Sequence, residues 1–186
     1  MSDTIAVIDC ETLSTTPNTV VLSLAITHFT INDPAKPLTL ATWGFNTKSW
    51  NLKIDAEIQN NRDIDESTTN WWNEQSDEAK EAHRQEPLIH PKPMLEELNT
   101  FIADNKIDYI CANGINFDGP ILDSLYRQYG VKPALPFWAT LDLRTMKWLA
   151  PTIKVPFPKE LTPHIAAHDT IYEAMVFRAC LANIRG

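Results

Sequence analysis

The stretch of this sequence that could do chemistry begins with two carboxylates one residue apart. Asp9 and Glu11 directly follow an apolar run from Ile5 to Ile8. Side chains of an extended strand alternate between its faces, so both carboxylates lie on one face and Cys10 on the other. Two acids held side by side at the end of a buried strand repel each other and are costly to desolvate, and a divalent cation offsets that cost. The alternative is a strand that ends in two solvated acids, so the interpretation depends on partners elsewhere in the chain.

Two further acids and a histidine are candidate partners. Asp118 lies at the start of a predicted helix, and Asp169 lies near the start of the last predicted helix. For each acid alone the simpler explanation is the helix dipole, which favours acids in the first turn. His164 comes five residues before Asp169, a net rotation of about 140° on a continuous helix, so the two cannot share one face. We therefore expect His164 in the loop that leads into this helix, over the same cleft.

Four acids and one histidine are the set of side chains that phosphodiester hydrolysis with two metal ions requires. Two divalent cations roughly 3.5–4 Å apart clamp the scissile phosphate, activate water and stabilise the leaving 3′ oxygen. Mg²⁺ prefers hard oxygen ligands and keeps several waters, so few carboxylates suffice. Histidine titrates near neutral pH and can accept the proton of the attacking water.

Composition limits the class of protein. The chain has 186 residues, 44% hydrophobic and 22% charged residues, and a net charge of −8. These values predict one globular domain over residues 1–186, and the acidic balance argues against a protein that coats nucleic acid. We see no apolar stretch long enough for a membrane span and no secretory signal, so we expect a cytoplasmic protein. Cys10, Cys111 and Cys180 lie in apolar segments, which favours reduced, buried thiols.

The elements that must position these residues are three strands at the start of the chain, followed by helices with two further strands among them. Three antiparallel strands are predicted at 4–10, 19–29 and 38–46, with a turn at 32–34 and a surface loop over 47–66. Further strands are predicted at 108–112 and 137–141. Helices are predicted at 68–74, 77–84, 91–103, 118–129, 143–149 and 165–184, with Ser67 and Ser76 as caps of the first two. This order predicts an α/β domain with a mixed five-stranded sheet flanked by helices.

Adjacent tryptophans, Trp71 and Trp72, fall on the first predicted helix. Neighbouring residues on a helix cannot both face one core, so one ring is expected to cover a neighbouring loop or a partner surface. We favour core packing for the pair over a base-stacking platform. His28, within the second strand, is interpreted as structural.

Three motifs occur in order along the chain: Asp9-Cys10-Glu11-Thr12, Asn113-Gly114-Ile115-Asn116-Phe117-Asp118, and His164-Ile165-Ala166-Ala167-His168-Asp169. In these motifs the chain resembles the DEDD-type 3′–5′ exonucleases of the ribonuclease H-like superfamily, histidine subtype. The tyrosine subtype would need a tyrosine where this chain has Ile165. The stretches 69–76 and 142–145 also resemble one branch, the small bacterial exoribonucleases and phage exonuclease A.

The resemblance implies a role for each matched residue. Asp9, Glu11 and Asp169 would ligate the first of two Mg²⁺ or Mn²⁺ ions. Asp9 would bridge to the second ion, and Asp118 would hold that ion directly or through water. His164 would be the general base, although His168 beside Asp169 is a second candidate that we expect to face away from the cleft.

The resemblance also implies substrate contacts. Thr12 and Leu13 would meet the 3′-terminal nucleotide, and Phe117 would pack beneath the site. Asp142 and Arg144 would either support the site from behind or be structural, and neither is assigned a catalytic role. The resemblance covers residues 5 to 180, nearly the whole chain, although its acidic character leaves open which groups hold the substrate backbone.

The expected activity is metal-dependent removal of 5′-mononucleotides from the 3′ ends of single-stranded RNA or DNA, or from 3′ overhangs. The branch also makes a homodimer plausible. Three alternatives stay open: a phosphodiesterase for very short oligonucleotides or nucleotides, an inactive nucleic-acid-binding module of the same fold, and a protein stabilised by one structural Ca²⁺.

Overall fold

A computed structural model describes residues 3–31 and 46–185, and in these ranges six strands form one mixed sheet. The strands are β1 (Thr4–Thr12), β2 (Val21–Thr30), β3 (Asn46–Leu52), β4 (Leu88–Ile89), β5 (Tyr109–Ala112) and β6 (Thr140–Asp142). Their order across the sheet is β4-β3-β2-β1-β5-β6. The β1–β2 and β2–β3 pairs are antiparallel, whereas β1–β5, β5–β6 and β3–β4 are parallel. The predicted mixed α/β class is confirmed.

Six helices accompany the sheet in the same ranges: α1 (Glu66–Asn73), α2 (Asp77–Ala82), α3 (Pro91–Asp104), α4 (Ile115–Tyr129), α5 (Leu143–Leu149) and α6 (Ala166–Arg185). The predicted cap of α2 is confirmed, because the Ser76 hydroxyl accepts a hydrogen bond from the Ala79 N–H at 3.1 Å. The predicted cap of α1 is wrong. Asp65 caps this helix and accepts from the Ser67 N–H at 2.8 Å, so α1 begins two residues earlier than expected.

The third strand is displaced from its predicted position. The structure places β3 at the start of the segment that was expected to be a surface loop. Within β3 only Trp50 and Leu52 are buried, so the polar residues between and before them conceal the strand pattern. The predicted turn at 32–34 and residues 38–45 of the predicted strand lie outside the described residues. The sixth strand, β4, has two residues, too few to produce a pattern in the sequence.

Strand β1 is buried on both of its faces. On one face Ala6, Ile8 and Cys10 join a core with α3 and α4. On the opposite face Ile5 and Val7 join a second core built largely from α6. A strand covered on both faces reads as a continuous apolar run, as residues 5 to 8 do. Because side chains alternate, positions 9 and 11 continue the face that α6 covers.

Helix α4 begins at Ile115, three residues before the predicted start. Gly114 precedes it with φ at 111°, and a Cβ atom there would lie 2.9 Å from Cζ of Arg144. Glycine therefore meets both a backbone and a space requirement at this position. The Asp142 carboxylate accepts a hydrogen bond from the Ile115 N–H at 2.9 Å and so ties the start of α4 to the end of β6. As a result Asp118 lies in the first turn of α4 and not at its first residue.

Three further predictions concern single residues or the whole chain. Cys10, Cys111 and Cys180 are buried and form no disulfide, as expected. His28 packs edge-to-face against Phe101 with ring centroids 5.7 Å apart, which supports its structural interpretation. Among the described residues, no helix combines the length and the apolar character that crossing a bilayer would require.

Candidate active site

The C-terminal end of β1 and the first turn of α6 bring three acids together. Asp9 and Glu11 lie on the β1 face that α6 covers, and Asp169 lies in the first turn of α6. Glu11 is buried, with 7% of its surface exposed. One carboxylate oxygen each of Glu11 and Asp169 and one ring nitrogen of His164 lie within 4.8 Å of one another. The structure thus brings together side chains that are more than 150 residues apart in the chain.

Asp118 reaches the same strand end from the other face of the sheet. Its carboxylate accepts a hydrogen bond from the Cys10 N–H at 3.2 Å, and its side chain is buried. Helix α4 therefore delivers the fourth predicted acid to the backbone between Asp9 and Glu11. The resulting cluster of four acids is the one that the sequence motifs predicted.

His164 lies in the loop before α6, as predicted. Its φ of 64° is in the left-handed region, which costs a residue with a side chain of order 1–3 kcal/mol. The His164 N–H donates a hydrogen bond to Oδ2 of Asp169 at 2.8 Å, and this bond holds the strained backbone in place. Backbone and ring of His164 are thereby both kept beside Asp169.

Burial and mutual repulsion raise the pKa values of the clustered carboxyls. Burial raises the pKa of Glu11 from 4.5 to about 8, with further repulsion from Asp169 and Asp118. Burial raises the pKa of Asp118 to about 7, although the Cys10 N–H and Arg144 oppose the shift. The pKa of Asp9 rises well above its usual value through burial and the charge of Glu11. Full ionisation of this cluster therefore requires a compensating positive charge.

The charged form of Asp169 is likewise stabilised by its surroundings. Burial raises its pKa, but the hydrogen bond from the His164 backbone and the nearby histidines His164 and His168 lower it. The same loop that carries the candidate base thus favours the ionised form of the acid beside it.

Glu173 is a fifth acid of this cluster, and the motifs did not identify it. It follows Asp169 by one helical turn on α6 and is 5% exposed. Burial raises its pKa to about 8, and repulsion from Asp118 and Asp169 adds to the shift. The sequence did contain a signal, because acids four residues apart share one helix face, here within an otherwise apolar stretch.

His168 is engaged away from the three clustered ligand atoms. Its Nδ1 accepts a hydrogen bond from the Thr162 N–H at 3.0 Å. The cluster of possible ligand atoms found among the described residues contains His164 and not His168. This placement agrees with the expectation that His168 faces away, and its effect on activity stays a prediction.

The two tryptophans of α1 have different environments. Trp72 is buried, and its indole N–H donates to the Thr12 carbonyl at 2.8 Å. Trp71 is 39% exposed and packs edge-to-face on the His164 ring, with centroids 4.8 Å apart. Core packing is therefore correct for Trp72 only, and the second ring covers the loop that carries His164.

The three residues predicted to contact substrate, Thr12, Leu13 and Phe117, have different environments. The carbonyls of Thr12 and Leu13 already accept hydrogen bonds inside the protein, from Trp72 and from the Asp65 N–H. The Leu13 side chain lines a cavity of about 310 Å³ together with Trp72. Phe117 is partly buried and packs against the first core. Contact of these three residues with a nucleotide stays a prediction.

Two basic side chains of α5, Arg144 and Lys147, approach the acids. Lys147 Nζ donates to the side-chain oxygen of Asn113 at 3.0 Å. Lys147 lowers the pKa of Glu173, as Arg144 does for Asp118. Asp142 has a structural role, as expected, because it caps α5 through the Thr145 N–H at 2.8 Å. The cluster thus combines an excess of acids with two cations at its edge.

This set of donors fits divalent cations. Four carboxylates supply the hard oxygen ligands that Mg²⁺ and Mn²⁺ prefer. The unpaired, buried Oε2 of Glu173 adds an acceptor that no protein donor satisfies among the described residues.

Comparison with known proteins gives three similarities. The family model of the Rv2179c-like 3′-5′ exoribonuclease domain matches residues 4–181. The exodeoxyribonuclease of Enterobacteria phage T4 is 26% identical over an alignment of 191 positions, and the alignment covers 90% of this chain and 82% of the phage protein. Among solved structures, apo Exonuclease I matches 95% of this chain with a TM-score of 0.61 at 13% identity.

Exonuclease I of E. coli in complex with a 5cy-dA13 oligonucleotide gives the same TM-score at 14% identity and covers 97% of this chain. This chain spans about two fifths of the two Exonuclease I chains, 41% and 40% respectively. At this identity the likeness shows a shared fold, and it confirms the predicted ribonuclease H-like class.

Proposed function

The chain belongs to the Rv2179c-like 3′-5′ exoribonuclease domain family, and on this premise we propose that its acid cluster is the active site of a 3′-5′ exonuclease for single-stranded nucleic acid. The observation that carries the assignment is the convergence of Glu11, His164 and Asp169, whose ligand atoms lie within 4.8 Å of one another. Asp118, on the Cys10 N–H, completes the set.

Two divalent cations, Mg²⁺ or Mn²⁺, are the proposed cofactors. Asp9, Glu11 and Asp169 would hold the first, and Asp9 and Asp118 the second. When bound, the ions supply electrostatic stabilisation of the phosphate and of the leaving oxygen. The protein supplies their ligands on a rigid strand end and on the first turns of α4 and α6, which keeps the carboxylates in place before substrate arrives.

His164 is the proposed general base, which takes the proton of the attacking water. Its backbone is fixed by the bond to Asp169, and its ring is braced by Trp71. Both contacts hold the His164 ring beside the acids. A general base of this kind contributes roughly 10²–10⁴-fold to the rate.

The proposed substrate is the 3′ end of a single strand or of an overhang, released as 5′-mononucleotides. Leu13 would wedge against the last base, next to Thr12, and Phe117 would support the site from below. A net charge of −8 provides little long-range attraction for phosphate, so we expect weak binding without metal. The basic side chains of Arg144 and Lys147 lie on α5, at the edge of the acid cluster. Their positive charges favour an approach of the nucleic-acid strand from the side of α5.

Degradation of matched RNA and DNA strands tests the proposal. Each strand carries a 5′ label and a 3′ end that is either free or capped by a bulky group. We expect a ladder that shortens from the free 3′ end in Mg²⁺ or Mn²⁺, and no ladder after capping. Cleavage inside a closed circular strand would overturn the exonuclease assignment in favour of an endonuclease.

The same assay determines whether the enzyme prefers RNA or DNA and which strand length it prefers. The family is described as exoribonuclease, whereas the phage T4 relative is named an exodeoxyribonuclease, so both sugars are compared at equal length. A series from dinucleotides to long strands separates a strand-degrading enzyme from a phosphodiesterase for very short oligonucleotides. Turnover confined to the shortest strands would favour the latter.

Location and assembly complete the proposal. We propose a cytoplasmic location, because the three cysteines are buried free thiols, as is common in a reducing compartment. A homodimer stays a prediction, which light scattering of the purified chain would test.

A further inference from the structure

Glu173 has no role in the motifs, and its environment needs an explanation. It lies on α6 one turn after Asp169, with 5% of its surface exposed. Within residues 3–31 and 46–185, its Oε2 has no hydrogen-bond partner. A buried carboxylate oxygen without a donor is costly, so a purely structural glutamate would be expected to have one.

Glu173 lies on the same face of α6 as Asp169, because the two residues are one helical turn apart. The Asn113 side chain, just after β5, and Lys147 both lower the pKa of Glu173, and Lys147 donates to the Asn113 side-chain oxygen at 3.0 Å. The acids whose charge acts on Glu173 most strongly are Asp118 and then Asp169. Glu173 also acts on Asp9, the residue that would bridge both ions. Glu173 therefore belongs to the same acid cluster as the proposed metal ligands, and its Oε2 is available there as an acceptor.

We propose that Glu173 is a fifth acid of the metal site, a positioning residue that raises affinity for the second divalent cation. It does so by accepting hydrogen bonds from water molecules that the ion keeps, as Mg²⁺ and Mn²⁺ do in most protein sites. Residues behind the direct ligands change metal affinity by roughly 10- to 100-fold. The inference rests on the proposed function, because it assumes the two-ion site.

The test is a titration of the intact chain with Mn²⁺, in which the concentration of free Mn²⁺ is measured by electron paramagnetic resonance. We expect Glu173→Gln to weaken binding of one of two ions by about 10- to 100-fold and to leave the other unchanged. The Mn²⁺ concentration for half-maximal nuclease activity should rise by a similar factor, with most of kcat recovered at saturation. Glu96→Gln, an exposed glutamate on α3, is the matched control and should change neither value.

Two further variants separate the possible failures. Glu173→Asp keeps the charge but shortens the side chain, so it should also bind the second ion more weakly, and it replaces Glu173→Gln if that variant does not fold. Wild-type affinity for both ions in either folded variant overturns the role of Glu173. Glu11→Gln tests the proposed function itself, because unchanged Mn²⁺ binding and turnover in that variant would refute the two-ion site altogether.

Discussion

Glu11→Gln should stabilise the metal-free protein while it abolishes activity. The rise of the Glu11 pKa from 4.5 to about 8 corresponds to roughly 5 kcal/mol against the ionised form. The amide keeps the shape of the side chain and its burial but carries no charge. Since a buried amide still loses hydration, we expect about half of that value, roughly 2–3 kcal/mol at pH 8.5. For a chain of this size this corresponds to a rise in Tm of roughly 4–12 °C.

The raised pKa of Glu11 makes the stability difference between wild type and variant depend on pH. In the unfolded chain Glu11 loses its proton near pH 4.5, whereas in the folded protein it keeps the proton up to about pH 8. The contribution of Glu11 to folding stability is therefore fully present at or below pH 4.5 and is lost as the pH rises through about 8. The wild-type protein loses this contribution on the way from pH 5 to pH 8.5, and the variant does not. The stability difference between them should be small at pH 5 and large at pH 8.5.

Thermal unfolding in chelator, at pH 5 and at pH 8.5, measures this difference. A third series, with Mg²⁺ in place of the chelator, should reverse the sign of this Tm difference. The ion stabilises the wild-type protein more, because a carboxylate at position 11 binds it more tightly than an amide does. Glu96→Gln, on the exposed side of α3, controls for the general loss of a negative charge. Equal Tm differences at both pH values, or a variant less stable than wild type at pH 8.5 in chelator, would refute the electrostatic reasoning.

Four other variants test the remaining assignments. His164→Ala should lower kcat roughly 10²–10⁴-fold, whereas His168→Ala should cost far less, and a dead His168→Ala would show that the base had been assigned wrongly. Asp9→Asn should retain the fold but have no measurable turnover in Mg²⁺ or Mn²⁺, and near-normal activity would contradict the two-metal proposal. Trp72→Phe leaves the Thr12 carbonyl without its indole donor and should lower the unfolding free energy by about 1–3 kcal/mol in chemical denaturation; an unchanged midpoint would show that the bond contributes nothing.

Local features of the site could be predicted from the sequence because they depend on periodicity and capping. The two-residue period of a strand places Asp9 and Glu11 on one face, and the apolar run before them predicts a strand covered on both sides. A helix break was predicted between His164 and Asp169 from the rotation per residue, and the structure has His164 in a loop. Cap chemistry likewise predicted that Ser76 caps α2, which begins at Asp77.

The prediction failed where the local pattern was weak or ambiguous. Strand β3 buries only two side chains, so its polar residues indicated a loop. The start of α4 was assigned three residues late, because Asn113 and Gly114 indicated a longer turn. There the hydrogen bond from the Ile115 N–H to Asp142, 27 residues further along, begins the helix instead.

By itself the sequence determined which residue types could form the site, since their order and spacing follow from strand and helix geometry. Only the tertiary structure decided which side chains meet. The bond between Asp118 and the Cys10 N–H joins residues 108 positions apart, and Trp71 meets His164 only because α1 packs beside the loop before α6. Glu173 belongs to the cluster for the same reason: α6 covers the face of β1 that carries Asp9 and Glu11. Such contacts depend on how elements pack across the sheet, and no periodicity within one element contains that information.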